Sequence, residues 1–234
     1  MRYLHPVGIS DAFVASGTYI KKKDGVIVPE WQEEWSIHRQ PDQATVIRVD
    51  ISDHAQHLSL IAEAWISPPQ EGQRIERVDI SAFSSVKSPI RHVRATYTFT
   101  SNQVNITSTL DGEPHYAETT VPDQTLPHIE STFFIGHTTS AILAINETAA
   151  VITIAADILA LGQKPIHEQW SILSDAAHSL EIGNRVYPAR KIDLLRDDPP
   201  HSTVFIDNDG TLLKLQSPAE DTWIELKDYA RARN

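Results

Sequence analysis

The sequence predicts an all-β protein, mainly antiparallel, whose large sheet is rolled up or closed into a barrel, with at most one or two short helices. Apolar and polar residues alternate with a period of two along much of the 234-residue chain, as they do in half-buried strands. Turn-forming Gly, Pro, Asn and Asp residues separate these runs at short intervals, which is typical of sandwiches and barrels. Because such folds often reach this length as single units, we treat residues 1–234 as one β domain.

The clearest alternation lies in residues 91–100, where Tyr97 and Phe99 share one face and polar residues occupy the other. Residues 103–110 continue the pattern after a short connection and end at Asp111-Gly112, a dipeptide favoured in tight turns. The two runs are therefore predicted to form a hairpin. The other predicted strands are 13–21, 26–39, 44–51, 58–66, 74–82, 114–121, 166–172, 179–187, 189–194, 203–206, 212–216 and 223–229.

One segment, 131–146, departs from this period. Either Ser131 or Thr132 is a suitable N-cap there. The residues that fall on a single helical stripe are Phe133, Phe134, His137, Ala141, Ile142 and Ile145. The spacing predicts a helix over 131–146.

The chain also contains pairs of segments with similar sequences. Residues 31–37, with Trp31 and Trp35, have a counterpart at 166–172, with Trp170. Arg-Val-Asp-Ile-Ser occurs twice, at 48–52 and 77–81. Two β-rich halves, 1–128 and 147–234, joined by the helix would explain this, and so would the convergence of similarly buried strands on similar patterns.

Composition excludes several classes of function. The 31 acidic and 20 basic residues give a net charge of −11, which disfavours binding to nucleic acid or to anionic lipid surfaces. The absence of cysteine excludes disulfides and thiolate chemistry. The first residues lack the apolar run of a secretion signal, and no apolar stretch is long enough to span a bilayer. We therefore expect a cytoplasmic protein without an integral membrane segment.

Two motifs look chemical. Residues 204–212 match the strand and loop of haloacid dehalogenase-like phosphatases, with Asp207 and Asp209 as the acids. Too little chain follows to supply the other groups that bind magnesium and phosphate, so we predict a hairpin turn instead. His54 and His57 are the closest histidine pair, but in a strand this spacing points them to opposite faces. We predict neither a metal site nor a cofactor.

The aromatic faces have two interpretations. They fill the core, or they line an apolar ligand cavity, because a sheet of so many strands encloses more volume than its own side chains fill. If the self-similarity is real, two glutamates occupy equivalent positions beside tryptophans. The predicted cavity-lining residues are Trp31, Glu33, Trp35, Tyr97, Phe99, Glu168 and Trp170.

Motifs near both ends of the chain form a recognisable pattern. They are Ser16-Gly17-Thr18-Tyr19, Asp24-Gly25, Glu33-Glu34-Trp35-Ser36-Ile37, the run 183–193, and the run 207–213. The pattern resembles bacterial proteins of unknown function that are grouped loosely with glycolipid-binding-like proteins and lipoprotein carriers. The resemblance implies an open barrel formed by a long rolled antiparallel sheet, with a helix that plugs or covers an apolar cavity.

Three functions remain open. The leading hypothesis is non-enzymatic binding of a lipid-like, apolar or amphipathic small molecule in the barrel. The second is a hydrolase or isomerase that uses carboxylates such as Glu33 and Glu168 together with histidine. The third is an interaction scaffold that oligomerises through an exposed sheet edge. Because no catalytic motif is recognisable, we favour a protein that is not an enzyme.

Overall fold

The computed structural model describes residues 1–85, 90–145, 148–155, 160–197, 201–217 and 221–232. A single 15-stranded sheet contains all the strands described, which confirms the predicted all-β, mainly antiparallel class. The strands are β1 (Ala12–Lys23), β2 (Val26–Arg39), β3 (Thr45–Asp53), β4 (Leu58–Ile66), β5 (Ile75–Ser84), β6 (Arg91–Phe99), β7 (Gln103–Leu110), β8 (Glu113–Thr120), β9 (Leu126–Ile129), β10 (Thr148–Ile154), β11 (Ile166–Ile182), β12 (Arg185–Leu195), β13 (His201–Ile206), β14 (Leu212–Gln216) and β15 (Thr222–Arg231).

The sheet is a meander in which almost every strand pairs with its neighbours along the chain. Strand β1 pairs with β15, whereas β8 and β9 form the two outer edges of the sheet. Only the connection 121–125 separates β8 from β9, and a chain covers at most about 3.5 Å per residue. The sheet must therefore roll until its two edges come close together.

The helix α1 (Thr132–Ala144) connects β9 and β10, which form a parallel pair and so need a crossover. It packs against β9, β10, β11, β13 and β14. Its predicted position, 131–146, is therefore nearly right, although Asn146 lies outside the described residues. The expected single apolar stripe is wrong, because buried residues surround the helix: Thr132, Phe133, Phe134, Ile135, Gly136, Thr138, Thr139 and Ile142. The first two turns of the helix are therefore buried all round, whereas Ala144 near its end is exposed.

The middle parts of strands β3 to β5 are buried on both faces. Their core face carries apolar side chains such as Val49, Leu60 and Val78. Their other face carries Asp50 and Glu63, among other charged groups, and it is covered by residues 1–5, which we call the N-terminal strap. Both copies of the repeated Arg-Val-Asp-Ile-Ser motif place their aspartate on this second face.

Two parts of the sheet differ from the prediction. Strands β9 and β10 were not predicted, because β9 has four residues and β10 is almost uniformly apolar, so neither shows alternation. Strand β11 continues through 173–178 with a register shift after Ile172, whereas the alternation predicts two separate strands, 166–172 and 179–187. The exposure of this polar stretch removes the alternation that burial on one face produces.

The predicted tight turns are confirmed. Asp24 and Gly25 have positive φ angles, as do Asp111 and Gly112, which is required in the two-residue hairpin turns that match strand twist. Asp207 also forms a turn, in which its Oδ1 accepts hydrogen bonds from the backbone nitrogens of Asp209 at 2.9 Å and Thr211 at 2.8 Å. This Asp-Gly hairpin joins β13 and β14, as expected.

Candidate functional site

A cleft lies where neighbouring strands differ in length. The register pairs Arg190 of β12 with Ile206 of β13, and β12 extends beyond that pair to Arg185. On the other side, Lys214 of β14 pairs with Glu225 of β15, and β15 extends to Arg231. The ends of β12 and β15 therefore both extend beyond the turn of the shorter β13–β14 hairpin, in the same direction. In the pairing described, these ends have no partner residues from β13 or β14.

The cleft has a volume of about 790 Å³, within the range of small-molecule sites. One wall consists of β1, β2 and β15, and the opposite wall is the turn of the β11–β12 hairpin. The N-terminal strap contributes a third side. The lining residues are Met1, Tyr3, Phe13, Ser16, Gly17, Thr18, Glu34, Trp35, Ser36, His38, Ile182, Gly183, Asn184, Arg185, Tyr187, Lys227, Asp228, Tyr229 and Ala230.

Trp35 is the central aromatic residue of the cleft wall. Its ring centroid lies 4.8 Å from that of Phe133 on α1, 5.9 Å from Tyr229 and 6.2 Å from Tyr19. The indole lies over Gly17, where an added Cβ would come within 2.6 Å of Trp35 Cζ2. Glycine at this position therefore permits the close approach of ring and backbone.

The same cleft has polar and charged surfaces. The amino group of Met1 lies 2.5 Å from Glu34, while Lys227 and Asp228 are exposed at the rim. His38 contacts Arg48 at 3.2 Å. Burial, together with the charge of Arg48, lowers the pKa of His38 from its ordinary value, so its imidazole is neutral near pH 7.

Glu33 lies on the core face of β2 beside Trp35. Its two oxygens accept hydrogen bonds from the backbone nitrogens of Thr132 at 2.8 Å and Phe133 at 2.7 Å. These are unpaired N–H groups at the start of α1, where a carboxylate is favoured. Burial nevertheless dominates and raises the pKa of Glu33 to about 7, while the backbone hydrogen bonds oppose the rise.

Glu168 belongs to a second buried cluster, on β11. It accepts hydrogen bonds from Thr153 Oγ1 and from Trp170 Nε1, and its Oε2 lies 3.7 Å from Arg196. The guanidinium of Arg196 stacks 4.3 Å above the Trp170 ring. His128 meets the same ring edge-on at 4.6 Å, and burial holds its pKa well below the usual range.

The seven residues predicted to line a cavity thus occupy different places. Trp35 lines the cleft and Glu33 adjoins it, whereas Glu168 and Trp170 form the second cluster. The Tyr97 hydroxyl accepts a hydrogen bond from the Gly162 nitrogen at 2.8 Å, and Trp31 and Phe99 pack partly buried against the core. Among the described residues no hydrogen bond joins Glu33 to Glu168.

Much of the cleft wall, including Tyr187, Lys227 and Tyr229, is absent from the residues predicted to line a cavity. Alternation placed the two tyrosines in predicted strands. The cleft itself arises from strand register, which alternation does not reveal.

Within the described ranges, no group of three or more histidine or acidic side chains is arranged to hold a metal ion. Nor does the described chain include a helix with the length and apolarity needed to cross a membrane.

Comparison with known proteins identifies the architecture. The chain is similar to the crystal structure of a β-barrel-like protein of a domain of unknown function (DUF1849) from Brucella abortus, with a TM-score of 0.59 and 7% sequence identity. The match covers 95% of this chain and 99% of that one. No family model matches the sequence, and no curated protein is significantly similar to it. The protein therefore has a β-barrel-like fold of a kind whose function is unknown.

Proposed function

We propose that the protein binds an amphipathic, lipid-like small molecule in the cleft and does not change it chemically. The observation that carries this proposal is the cleft of about 790 Å³ that combines aromatic rings with charged and hydroxyl groups. The proposal keeps the ligand class expected from the sequence, and it moves the binding position from the centre of the barrel to this opening in its wall.

The composition of the lining supports an amphipathic ligand over a purely apolar one. Tyr187 and Tyr229 offer partly exposed rings against which an alkyl chain packs. Arg185 and Lys227 lie at the same cleft with their charged ends accessible to water. A molecule with an apolar chain and a polar head matches both surfaces.

The two glutamates considered as catalytic groups have other partners, which favours binding over catalysis. Glu33 holds the first backbone nitrogens of α1, and Glu168 is held by Thr153 and Trp170. A carboxylate that acts as a general acid or base must instead reach a reacting group of the substrate.

The proposal can be tested with monodecanoylglycerol, a neutral amphipathic probe, in titration calorimetry. Co-purified small molecules would be sought in parallel by native mass spectrometry after organic extraction. We expect Tyr187→Ala and Tyr229→Ala to weaken binding about tenfold, because removing an aromatic contact at a binding site commonly costs more than about 1 kcal/mol. The matched control is Tyr116→Ala, since Tyr116 on β8 is 80% exposed and lies outside the cleft.

The proposal is wrong if the wild-type protein neither binds the probe nor carries a co-purified amphipath. It is also wrong if the three tyrosine variants lose affinity equally, because the binding would then lie elsewhere.

A further inference from the structure

We infer that the ligand presents an uncharged carbonyl oxygen, of an ester or amide, to the indole nitrogen of Trp35. This inference rests on the proposed function and adds the chemistry of one group of the ligand.

The indole N–H of Trp35 is buried and lacks a hydrogen-bond partner among the described residues, although Trp35 is only 1% exposed. Buried indole nitrogens usually have a partner. Two others in this chain do: Nε1 of Trp170 donates to Glu168 at 3.2 Å, and Nε1 of Trp223 donates to Glu225 at 2.8 Å. Among the described residues, the indole nitrogen of Trp35 is the one that is fully buried without a partner, and it belongs to a residue that lines the cleft.

Gly17 brings this edge of the ring to the cleft. A Cβ at position 17 would lie 2.7 Å from Trp35 Cε2, the atom bonded to Nε1. The same Cβ would lie 2.8 Å from the carbonyl oxygen of Asp228. Gly17 and Asp228 are themselves cleft residues. Because position 17 has no side chain, the nitrogen-bearing edge of the indole packs directly against backbone that itself lines the cleft.

The surroundings of Trp35 favour an uncharged acceptor. The ring packs among Tyr19, Phe133 and Tyr229, and Glu33 lies two residues away on the same strand face. A carboxylate or phosphate in that position would be desolvated without a counterion and would approach another acid. A carbonyl accepts the same hydrogen bond without these penalties.

A second polar atom in the lining shares this property. Ser36 is buried, and its Oγ also has no hydrogen-bond partner in the part of the chain that the structure describes. Because adjacent strand residues point to opposite faces, Ser36 is not a second contact for the group that reaches the indole nitrogen of Trp35.

The experiment compares two glycerides that differ at one position: 1-monodecanoylglycerol, which has an ester carbonyl, and 1-O-decylglycerol, whose ether has none. We expect the wild-type protein to bind the ester about tenfold more tightly, in line with a donor that rejects ligands lacking its acceptor. Trp35→Phe keeps an aromatic ring but removes the N–H, so the preference should fall to about twofold or less. Trp223→Phe is the control and should keep the full preference.

The outcomes are distinct. Equal binding of ester and ether by the wild-type protein, or an unchanged preference in Trp35→Phe, overturns the carbonyl contact and leaves the proposed function standing. Binding of neither glyceride overturns the proposed function, and this inference falls with it. If Trp35→Phe does not fold, benzothienylalanine at position 35, in which sulfur replaces the N–H of a ring of the same shape, makes the same comparison.

Discussion

The carboxylate of Glu33 on β2 accepts a hydrogen bond from the backbone nitrogen of Phe133 at 2.7 Å, which ties the sheet to the first turn of the enclosed helix. The partner positions are 100 residues apart in the chain. The contact therefore fixes the position of the start of α1 inside the rolled sheet, where Phe133 packs against Trp35.

This contact predicts that stability depends on pH through Glu33. Burial raises the pKa of Glu33 from 4.5 to about 7, so the folded protein binds the proton more tightly than the unfolded chain does. The stabilisation from protonation is present below about pH 4.5 and is lost as the pH rises to about 7. By linkage the loss amounts to about 3 kcal/mol.

Urea unfolding at pH 5, 6, 7 and 8 should show this loss in the wild-type protein and a flatter profile in Glu33→Gln, which does not titrate. Glu118→Gln, at an exposed position on β8, should follow the wild-type curve. Parallel profiles for the wild-type protein and Glu33→Gln would contradict the assignment.

A second prediction concerns the N-terminal strap. Glu63 is fully buried and accepts hydrogen bonds from the backbone nitrogens of Leu4 at 2.8 Å and His5 at 3.1 Å, while His5 Nδ1 lies 2.8 Å from its other oxygen. In Glu63→Gln an uncharged amide replaces the carboxylate, and its NH2 group cannot accept a hydrogen bond. We expect about 1–3 kcal/mol lower stability and at least roughly tenfold faster amide exchange at Leu4 and His5.

The control for the strap is Asp111→Asn, which breaks an exposed pair with Arg91 at 2.9 Å and should change stability by less than about 1 kcal/mol. Unchanged exchange at Leu4 and His5 in Glu63→Gln would show that the strap is held by other contacts.

A third prediction follows from the packing of Gly17. In Gly17→Ala the new methyl group would come within 2.6 Å of Trp35 Cζ2 and 2.8 Å of the Asp228 carbonyl oxygen, so ring or strand must shift. Overpacking of this kind costs about 1–3 kcal/mol. Thermal unfolding should show a lower midpoint for Gly17→Ala than for the neighbouring Ser16→Ala, and equal midpoints would mean that the ring moves away without cost.

A fourth prediction concerns Tyr97 on β6, whose hydroxyl contacts the segment before β11. Its hydroxyl accepts the Gly162 backbone N–H at 2.8 Å, so Tyr97→Phe leaves that buried donor unpaired. We expect a loss of about 1–3 kcal/mol in the free energy of unfolding and faster amide exchange at Gly162. Tyr116→Phe, whose ring is exposed, should show neither change.

The sequence predicted those features that depend on local patterns. Period-two alternation identified most strands, and the Asp111-Gly112 dipeptide located a hairpin turn. The helix was placed from its apolar spacing, which predicted one buried face, whereas only the family resemblance implied a helix that plugs or covers the barrel. Trp35 and Glu33 were assigned to one strand face, and they do share it.

What the sequence did not predict depends on contacts between distant segments. The partner of Glu33 lies on α1, and the cleft exists because the β13–β14 hairpin is shorter than the strands on either side. Such differences in length follow from register across the whole sheet, which the hydrophobic pattern of a single strand does not define. Strand β10 was not predicted because most of it is buried on both faces, so its sequence does not alternate between apolar and polar residues.

The pairing of β1 with β15 has a consequence for how the protein folds. Most strand pairs in the sheet join strands that follow each other in the chain, so they can form locally. The β1–β15 pair must instead bring Ala15 to Arg231. Closing so large a loop carries the greatest entropic cost in the molecule and raises its contact order. We therefore expect the β1–β15 pairing to form late. A newly made chain then passes through an intermediate in which β1 and β15 are two further unpaired strand edges besides β8 and β9, and this is the species most prone to aggregate.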